Sequence, residues 1–567
     1  PPVPEVPGGE TAALARWAAF RDHRLAGYAA RRNDALQEGY VSQLSPYLRH
    51  GMIAATRIAR EAARRGGKGA DKFLDELLVW REMSWAYAFH EPDHDDARKV
   101  VPDWAWTSLA RAAPDGREPL YAWEALARGR TTDAFWNAAQ AAYLRRGYLH
   151  NNVRMTWGKA LLRWSDGPAD AARRLVDLNN RYGLDGGDPN SYQGLFWCLG
   201  AFDRPFEPPK PVFGTVRARG TGIHAERLDT DAFAAKQVRR PPLEQPRVAV
   251  IGAGPAGLMA ARTLADQGVR VTVLDKGRRP GGRTAAKRLD DERHADHGAP
   301  WFTAADPRLA PLMTSWRETG RIEPWPDGEA DLAGAHVPVP AARALAGHLA
   351  RDLDVRGGVT VSGLSRDAGG WWLTTEDEPS GPVDWVVVAV PAPQAAPLLA
   401  QVSSLADAAR DVRYRPIVTA IARFDRALDA VPDVAHGPSP VALSLRDTAK
   451  PGRAPGGEVR VLHAEPAWAE VNLETSAAEN AAALVDAFRA ATGAPEPVEI
   501  VGHRWRHARV AHGLNRDCLV DRDARVVACG DWCPGGGVAD ALLSGIAAAG
   551  RVCNAEPDIA ARGAPTR

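Results

Sequence analysis

The 567-residue chain is poor in cysteine and in methionine, with five of each. Five thiols over this length make no disulfide framework, which fits a reducing compartment and a cytoplasmic location. Long apolar runs are missing too. No stretch reaches the roughly 20 residues a spanning helix needs, so neither a membrane span nor a signal peptide is expected. Charge of one sign is absent: 71 Lys+Arg against 70 Asp+Glu leave a formal net charge of +1. Any nucleic-acid face must then be a local patch. Zinc-ligand spacings and the G-x-S-x-G nucleophile elbow are missing, so no metal site is expected. There is no short-period repeat. What remains is an ordinary globular composition, 45% hydrophobic and 25% charged, at a length that holds two to four domains. Nineteen tryptophans stand out; they suit bulky core filling or stacking and electron transfer.

The most informative stretch is Arg247 to Arg283. Val248, Val250 and Ile251 read as a short buried strand. Gly252, Gly254 and Gly257 follow at G-x-G-x-x-G spacing and open a helix to about Gln267. A second strand, Val269 to Leu274, ends at Asp275. Strand, glycine turn, helix, strand and acid together form a dinucleotide fingerprint. The first glycine permits the turn, the second lets a pyrophosphate reach the backbone, and the third lets helix and strand pack. The helix N-terminus presents free N–H groups to the phosphates, and Asp275 can accept from a ribose hydroxyl. Pro280-Gly281-Gly282-Arg283 directly after this unit resembles the two-dinucleotide-binding flavoproteins of the amine oxidase superfamily, which implies FAD with Arg283 near the pyrophosphate.

Along the chain, Pro1 to Glu10 reads as a stiff, disordered lead-in. From Thr11 to about Ala201 the pattern is helical. Phe73, Leu77 and Trp80 share a face, and Asp133 is placed to N-cap the helix carrying Trp136. Arg204 to about Arg240 is loop-like, and Pro241 to Pro246 is a linker. Beyond it lies an α/β unit, with β-rich segments at Val359–Val361, Trp371–Thr374 and Trp385–Val390. The last helix is expected from Val538 to about Val552.

The segment from about Arg31 to Asp229 resembles the FAD-binding half of class II cyclobutane pyrimidine dimer photolyases. The matching runs are Ser42-Gln-Leu-Ser-Pro-Tyr-Leu48, Phe73-Leu-Asp-Glu-Leu-Leu-Val-Trp-Arg-Glu82, Asp133 to Gln140, Arg154-Met-Thr-Trp157, Leu178-Asn-Asn180, Leu184 to Asn190, Trp197 and Pro211 to Arg217. The resemblance implies flavin contacts at Ser42, Leu44, Ser45, Arg154 and Asp185, with Asn179 beside the reactive ring nitrogen. It implies a lesion pocket of Glu76, Trp80, Met155 and Trp197, and a light-driven tryptophan chain of Trp136, Trp157 and Trp164. Physically, Glu76 and Trp80 are i, i+4, so a carboxylate and an indole project together, a pair able to stack on a flipped base and bond its edge. All four pocket residues also suit a core, and Asn179 also suits a helix C-cap. Trp157 and Trp164, seven apart, share a face. There are departures: Asn180 stands where Asp is usual, and Thr215 and Ala218 make the following loop less basic. No α/β antenna domain is expected ahead of Thr11, as though lost or removed; dinucleotide binding by the whole chain would then be weaker, and an antenna pigment has no evident site.

From Val248 to Val552 the chain resembles bacterial renalase-like FAD oxidoreductases. Asp296-His-Gly-Ala-Pro-Trp-Phe-Thr303 is similar to a family segment with Gln-Tyr in place of Pro300 and Trp301. Val386 to Pro391 and His503-Arg-Trp-Arg-His507 also match. Ala528-Cys-Gly-Asp-Trp-Cys-Pro-Gly-Gly-Gly-Val538 resembles the C-terminal flavin motif, implying cofactor contacts at Gly530, Asp531, Gly537 and Val538. There Gly535 to Gly537 would let the last helix point its N-terminus at the flavin. Cys529 and Cys533 read as small buried residues rather than a redox pair; His297 is a candidate base or a loop hydrogen-bonder.

The expected fold is multidomain: an all-α photolyase-type FAD-binding domain over 11–225, a linker over 226–245, and an α/β Rossmann-type FAD domain with an inserted mixed-sheet substrate domain over 246–556. A lead-in (1–10) and a tail (557–567) flank them. The expected function is a two-module flavoprotein with two FAD per chain. Its oxidoreductase would take hydride from a dihydronicotinamide or an amine-type substrate, NAD(P)H being a candidate electron donor, and pass electrons to dioxygen or the second flavin. Alternatives are light-driven dimer repair, with damaged DNA as partner, and a cryptochrome-like photosensor. Expected partners are a small-molecule reductant and no membrane.

Overall fold

The computed structural model describes residues 3, 6–117, 119–237, 246–290, 293–325 and 333–554. Residues 238–245 of the expected linker, the tail, and residues 1, 2, 4 and 5 of the lead-in lie outside the described residues. The chain divides into two compact units, Val3–Leu243 and Glu244–Arg567.

The first unit is helical throughout. Asp133, Asp188 and Asp229 each accept a backbone N–H at a helix start, offsetting donors that the first turn leaves unpaired. Pro168 and Pro189 occupy first-turn positions, where a missing N–H costs nothing. Trp17, Phe20, Tyr28 and Phe73 interlock as aromatic neighbours, Trp17 and Phe73 stacking at 5.6 Å.

Three expectations need correction here. The segment expected as loop and linker folds: Thr221–Ala225 and Thr230–Lys236 are helices. Asp229 caps the second, and fully buried Phe233 stacks on Phe135 at 6.4 Å, so an apolar anchor outweighed the polar look of the stretch. The end of the lead-in is docked, with the Tyr47 hydroxyl donating to the Pro7 carbonyl at 2.9 Å and a helix starting at Glu10. The helix carrying Glu76 and Trp80 widens into a π-helical turn over Asp75–Arg81, so their i, i+4 spacing is not that of an α-helix; such turns recur at functional sites.

The second unit is built on a six-stranded sheet in the order Leu519–Asp521, Val526–Ala528, Trp385–Val388, Arg247–Ile251, Arg270–Asp275, Asp354–Gly357. All neighbours are parallel except the first pair. The apolar runs Val248–Ile251 and Trp385–Val388 are buried as covering of both faces requires. Over this sheet the Val538–Cys553 helix packs on the Pro255–Asp266 helix so closely that a Cβ at Gly545 would lie 2.2 Å from the Ala256 carbonyl oxygen. The strand expected at Val359–Val361 lies instead at Asp354–Gly357. Gly358, at φ +78°, ends it, and Val359 then bonds back to the Asp275 carbonyl.

A separate five-stranded sheet runs Val434–Ala435, Val441–Arg446, Glu458–Ala464, Arg413–Phe424, Glu499–His512. It is antiparallel throughout rather than mixed; the mixed pairing belongs to the six-stranded sheet. Among the described residues, no helix is long and apolar enough to cross a membrane and no His, Cys, Asp or Glu group is placed to hold a metal ion.

Candidate functional sites

In the α/β unit a cavity of about 1660 Å³ opens at the carboxyl end of the central strand, where open α/β sheets bind ligands. Glycines of three loops form part of its wall. Gly252 sits at φ +110°, a conformation side chains rarely adopt. A Cβ on Gly257 would lie 1.9 Å from the Gly252 carbonyl oxygen, so the turn closes only on glycine. Cβ atoms on Gly254 or Gly537 would meet nothing within 4 Å; both look onto open space. Gly281 donates to the Ala253 carbonyl at 2.9 Å, tying the second glycine loop to the first. Arg283 holds Asp531 through two bonds of 2.9 and 2.6 Å and also donates to the Ala508 carbonyl. Gly530 donates to Ser544 at 3.1 Å. Gly535 to Val538 line the cavity at the start of the last helix, so its N–H groups face the space. Asp275 is pinned by the backbone N–H groups of Ala253 and Gly277. A dinucleotide fits this cradle: open glycine walls, two helix N-termini and a fixed carboxylate.

The floor beyond the cradle comes from the antiparallel sheet. Trp505 donates to the His297 carbonyl at 2.8 Å and stacks on its ring at 5.4 Å. His503 lies 4.9 Å from His297. Burial, helped by His503, pushes His297 down to about 4; burial, helped by Arg509, pushes His463 down to about 3. Both are neutral above pH 5. Asp296, the first residue of the 296–303 motif, is structural: it accepts from Ala342, Lys450 and Arg453 inside a buried ion cluster with Asp447. Cys529 and Cys533 are buried and free.

In the helical unit the site is made of side chains. Arg154 contacts both oxygens of Asp185, at 3.3 and 3.1 Å, and reaches Ser191. Ser191 also accepts from Asn179 at 3.0 Å. Asn179 is fully buried inside the Pro168–Tyr182 helix rather than capping it, and takes the Tyr143 hydroxyl at 2.9 Å. Asn180 accepts from the Gly187 N–H. Ser42, Leu44 and Ser45 lie at the start of the Ser45–Arg49 helix, whose Arg49 reaches Gly187 in the loop after Asp185. Trp136 stacks on Trp157 at 6.1 Å, nearly parallel, and meets Trp164 edge-on at 5.4 Å. Their ring nitrogens are anchored, Trp136 to the Trp157 carbonyl and Trp157 to Gln140, each at 3.0 Å.

Trp80 and Trp197 pair at 5.1 Å and are half-buried, as is Met155. Glu76 is ion-paired with Arg32 and Lys72, each at 2.8 Å. A Cβ at Gly194, one turn before Trp197, would meet nothing within 4 Å. Open space beside a paired, half-exposed set of polar and aromatic groups fits a planar ligand.

Reading the sequence missed the partners: Tyr143 and Ser191 around Asn179, Arg32 and Lys72 on Glu76, and Tyr121, which packs edge-on to Trp164 at 5.2 Å. None carries a motif, and only their packing identifies them.

Residues 250–316 match the NAD(P)-binding Rossmann-like domain family, and residues 338–553 match the flavin containing amine oxidoreductase family. The deoxyribodipyrimidine photo-lyase of Arabidopsis thaliana is 37% identical over 218 residues, covering 38% of this chain and 44% of that protein. That of Oryza sativa is 35% identical over 242 residues, covering 41% and 47%. The putrescine oxidase of Kocuria rosea is 46% identical over 66 residues, 12% of this chain and 14% of that enzyme. The chain thus spans less than half the length of these curated relatives.

Proposed function

We propose that this chain, a photolyase-like helical region joined to an amine oxidoreductase-like α/β region, is an enzyme that carries one FAD in each unit. The reading is supported most by the glycine-walled cavity of about 1660 Å³. FAD held in the α/β unit would supply a hydride acceptor for a reduced substrate, a dihydronicotinamide or an amine, with the electrons passing on to dioxygen or to the flavin of the helical unit. In the α/β unit, Gly252, Gly254, Gly281, Gly282 and Gly537 would admit the cofactor, Arg283 and Asp531 would position it, and Asp275 would take a ribose hydroxyl. No side chain needs to move a proton for hydride loss, consistent with histidines that stay neutral at working pH. In the helical unit, Arg154, Asp185 and Asn179 would hold the cofactor, and the Trp157–Trp136–Trp164 stack would bring electrons in under light. Flavin released by denaturation and counted per chain tests this reading: two support it, and one refutes it. Stopped-flow spectra then test transfer between the two, which a lack of interflavin reduction would rule out.

A second reading, repair of pyrimidine dimers under blue light, is favoured by the half-exposed Trp80–Trp197 pair with Met155 and Glu76. An oligonucleotide repair assay tests it, and Glu76→Ala should remove the activity. A light sensor would instead reduce flavin through Trp157 without repair.

A further inference from the structure

A second, much smaller cavity lies against the first in the α/β unit. Its volume is about 10 Å³, room for one small molecule. Six residues line both spaces: Pro255, Thr284, Ala299, Trp301, Phe302 and Val538. No more than one layer of residues therefore stands between them. Two of the six mark the helix starts that border the cofactor space: Pro255 opens the Pro255–Asp266 helix and Val538 opens the Val538–Cys553 helix. The far wall comes from the Arg343–Leu349 helix, through Leu345, Ala346 and Leu349, each 4% exposed or less.

The lining decides what can enter. Every side chain on it is a hydrocarbon except those of Thr284 and Trp301. The Thr284 hydroxyl is turned to the Gly281 carbonyl, to which it donates at 2.7 Å. A buried water needs about two to four polar partners, and these side chains do not supply them. A void of this kind stays dry and takes apolar guests such as xenon. The large cavity beside it is the opposite. Arg283, Asp531 and His503 line it together with helix N–H groups, so an apolar gas gains nothing by collecting there. The guest of the small pocket must be small, apolar and uncharged, and it lies one residue away from the space that fits a dinucleotide.

We propose that this pocket holds dioxygen beside the cofactor space. The inference rests on the oxidoreductase reading of the α/β unit and deepens it, naming dioxygen rather than the flavin of the helical unit as the electron acceptor. Dioxygen would take two electrons and one proton from the reduced cofactor and a second proton from solvent, and leave as hydrogen peroxide. Peroxide is polar and loses hydrogen bonds in such a lining, so the pocket that admits the reactant does not retain the product.

Xenon is the probe, being apolar and close to dioxygen in size. Crystals of the full chain pressurised with xenon should show one xenon atom between Phe302 and Leu345, and no ordered water there beforehand. Ala346→Val adds two methyl groups at the far wall and should remove that xenon. In the same variant, reoxidation of the reduced flavin by dioxygen should slow several-fold. Reoxidation by dichlorophenolindophenol, a dye too large for the pocket, should keep the parent rate. Leu345→Ala enlarges the pocket and should raise xenon occupancy, which keeps the test decisive if the valine variant fails to fold. A parent pocket without xenon, or one holding an ordered water, would overturn the proposal. So would an unchanged dioxygen rate in a variant that has lost its xenon, or equal slowing with both acceptors. Xenon occupancy is read with or without flavin, so an empty pocket sinks this inference alone, whereas missing flavin sinks the reading on which it rests.

Discussion

The candidate sites of the two units are built in opposite ways. In the α/β unit the cradle is backbone: glycines that leave room, N–H groups at helix starts, and few side chains. In the helical unit it is side chains bonded to one another, Arg154 to Asp185 and Ser191, and Asn179 to Tyr143 and Ser191. A backbone cradle fails when atoms are added to it. A side-chain network fails when atoms are removed.

The largest effects should follow from reversing these rules. Gly257→Val puts side-chain atoms where a backbone oxygen already sits, 1.9 Å from the ideal Cβ. We expect a loss above about 3 kcal/mol, read as a collapsed melting transition and no bound flavin in that unit. Gly194→Ala in the helical unit should cost little stability, because nothing lies within 4 Å of the added Cβ; a large drop in its melting temperature would break the comparison.

Next come the charged pairs. Arg154→Ala strands the buried Asp185 carboxylate, and Arg283→Ala strands Asp531. Each should cost on the order of 3 kcal/mol, measured by denaturant unfolding. Trp136→Phe keeps an apolar ring in a fully buried site but interrupts the stack. It should cost about 1–2 kcal/mol, for the lost bond to the Trp157 carbonyl and the space left behind, while slowing light-driven flavin reduction, followed as bleaching of the flavin absorbance.

A smaller effect treats both units alike. His150 and His224 in one unit, and His297 and His463 in the other, are pushed down mainly by burial, the first three to about 4 and His463 to about 3. The unfolded chain therefore takes up protons between pH 6.5 and about 4 that the folded chain refuses. Stability should be fully present above pH 6.5 and should fall as pH drops through that window. Melting temperatures across pH 4 to 7 check this, and a flat profile would refute it. Smallest of all, Asp133→Ala removes one helix cap and should cost about 1 kcal/mol.

The same contrast explains what was legible. Gly252, Gly254, Gly257 and Asp275 are neighbours in sequence because a turn and two strands are local, so their fold and chemistry can be read from 37 consecutive letters. The Thr230–Lys236 helix reads as linker in the sequence because its anchor, Phe233 on Phe135, is a contact across about a hundred residues. The tryptophans could be named through a resemblance, but their stacking, their anchored ring nitrogens and the partners Tyr143, Ser191 and Tyr121 depend on helices brought together from distant parts of the chain.

Sequence by itself determined the two architectures, the glycine cradle and the absence of disulfide and metal spacings, because these follow from local periodicity and short-range turn chemistry. Only the tertiary structure decided which charges lack partners. Arg415 and Arg509 are ordinary arginines in the sequence, and stand opposite each other only because strand register pairs them.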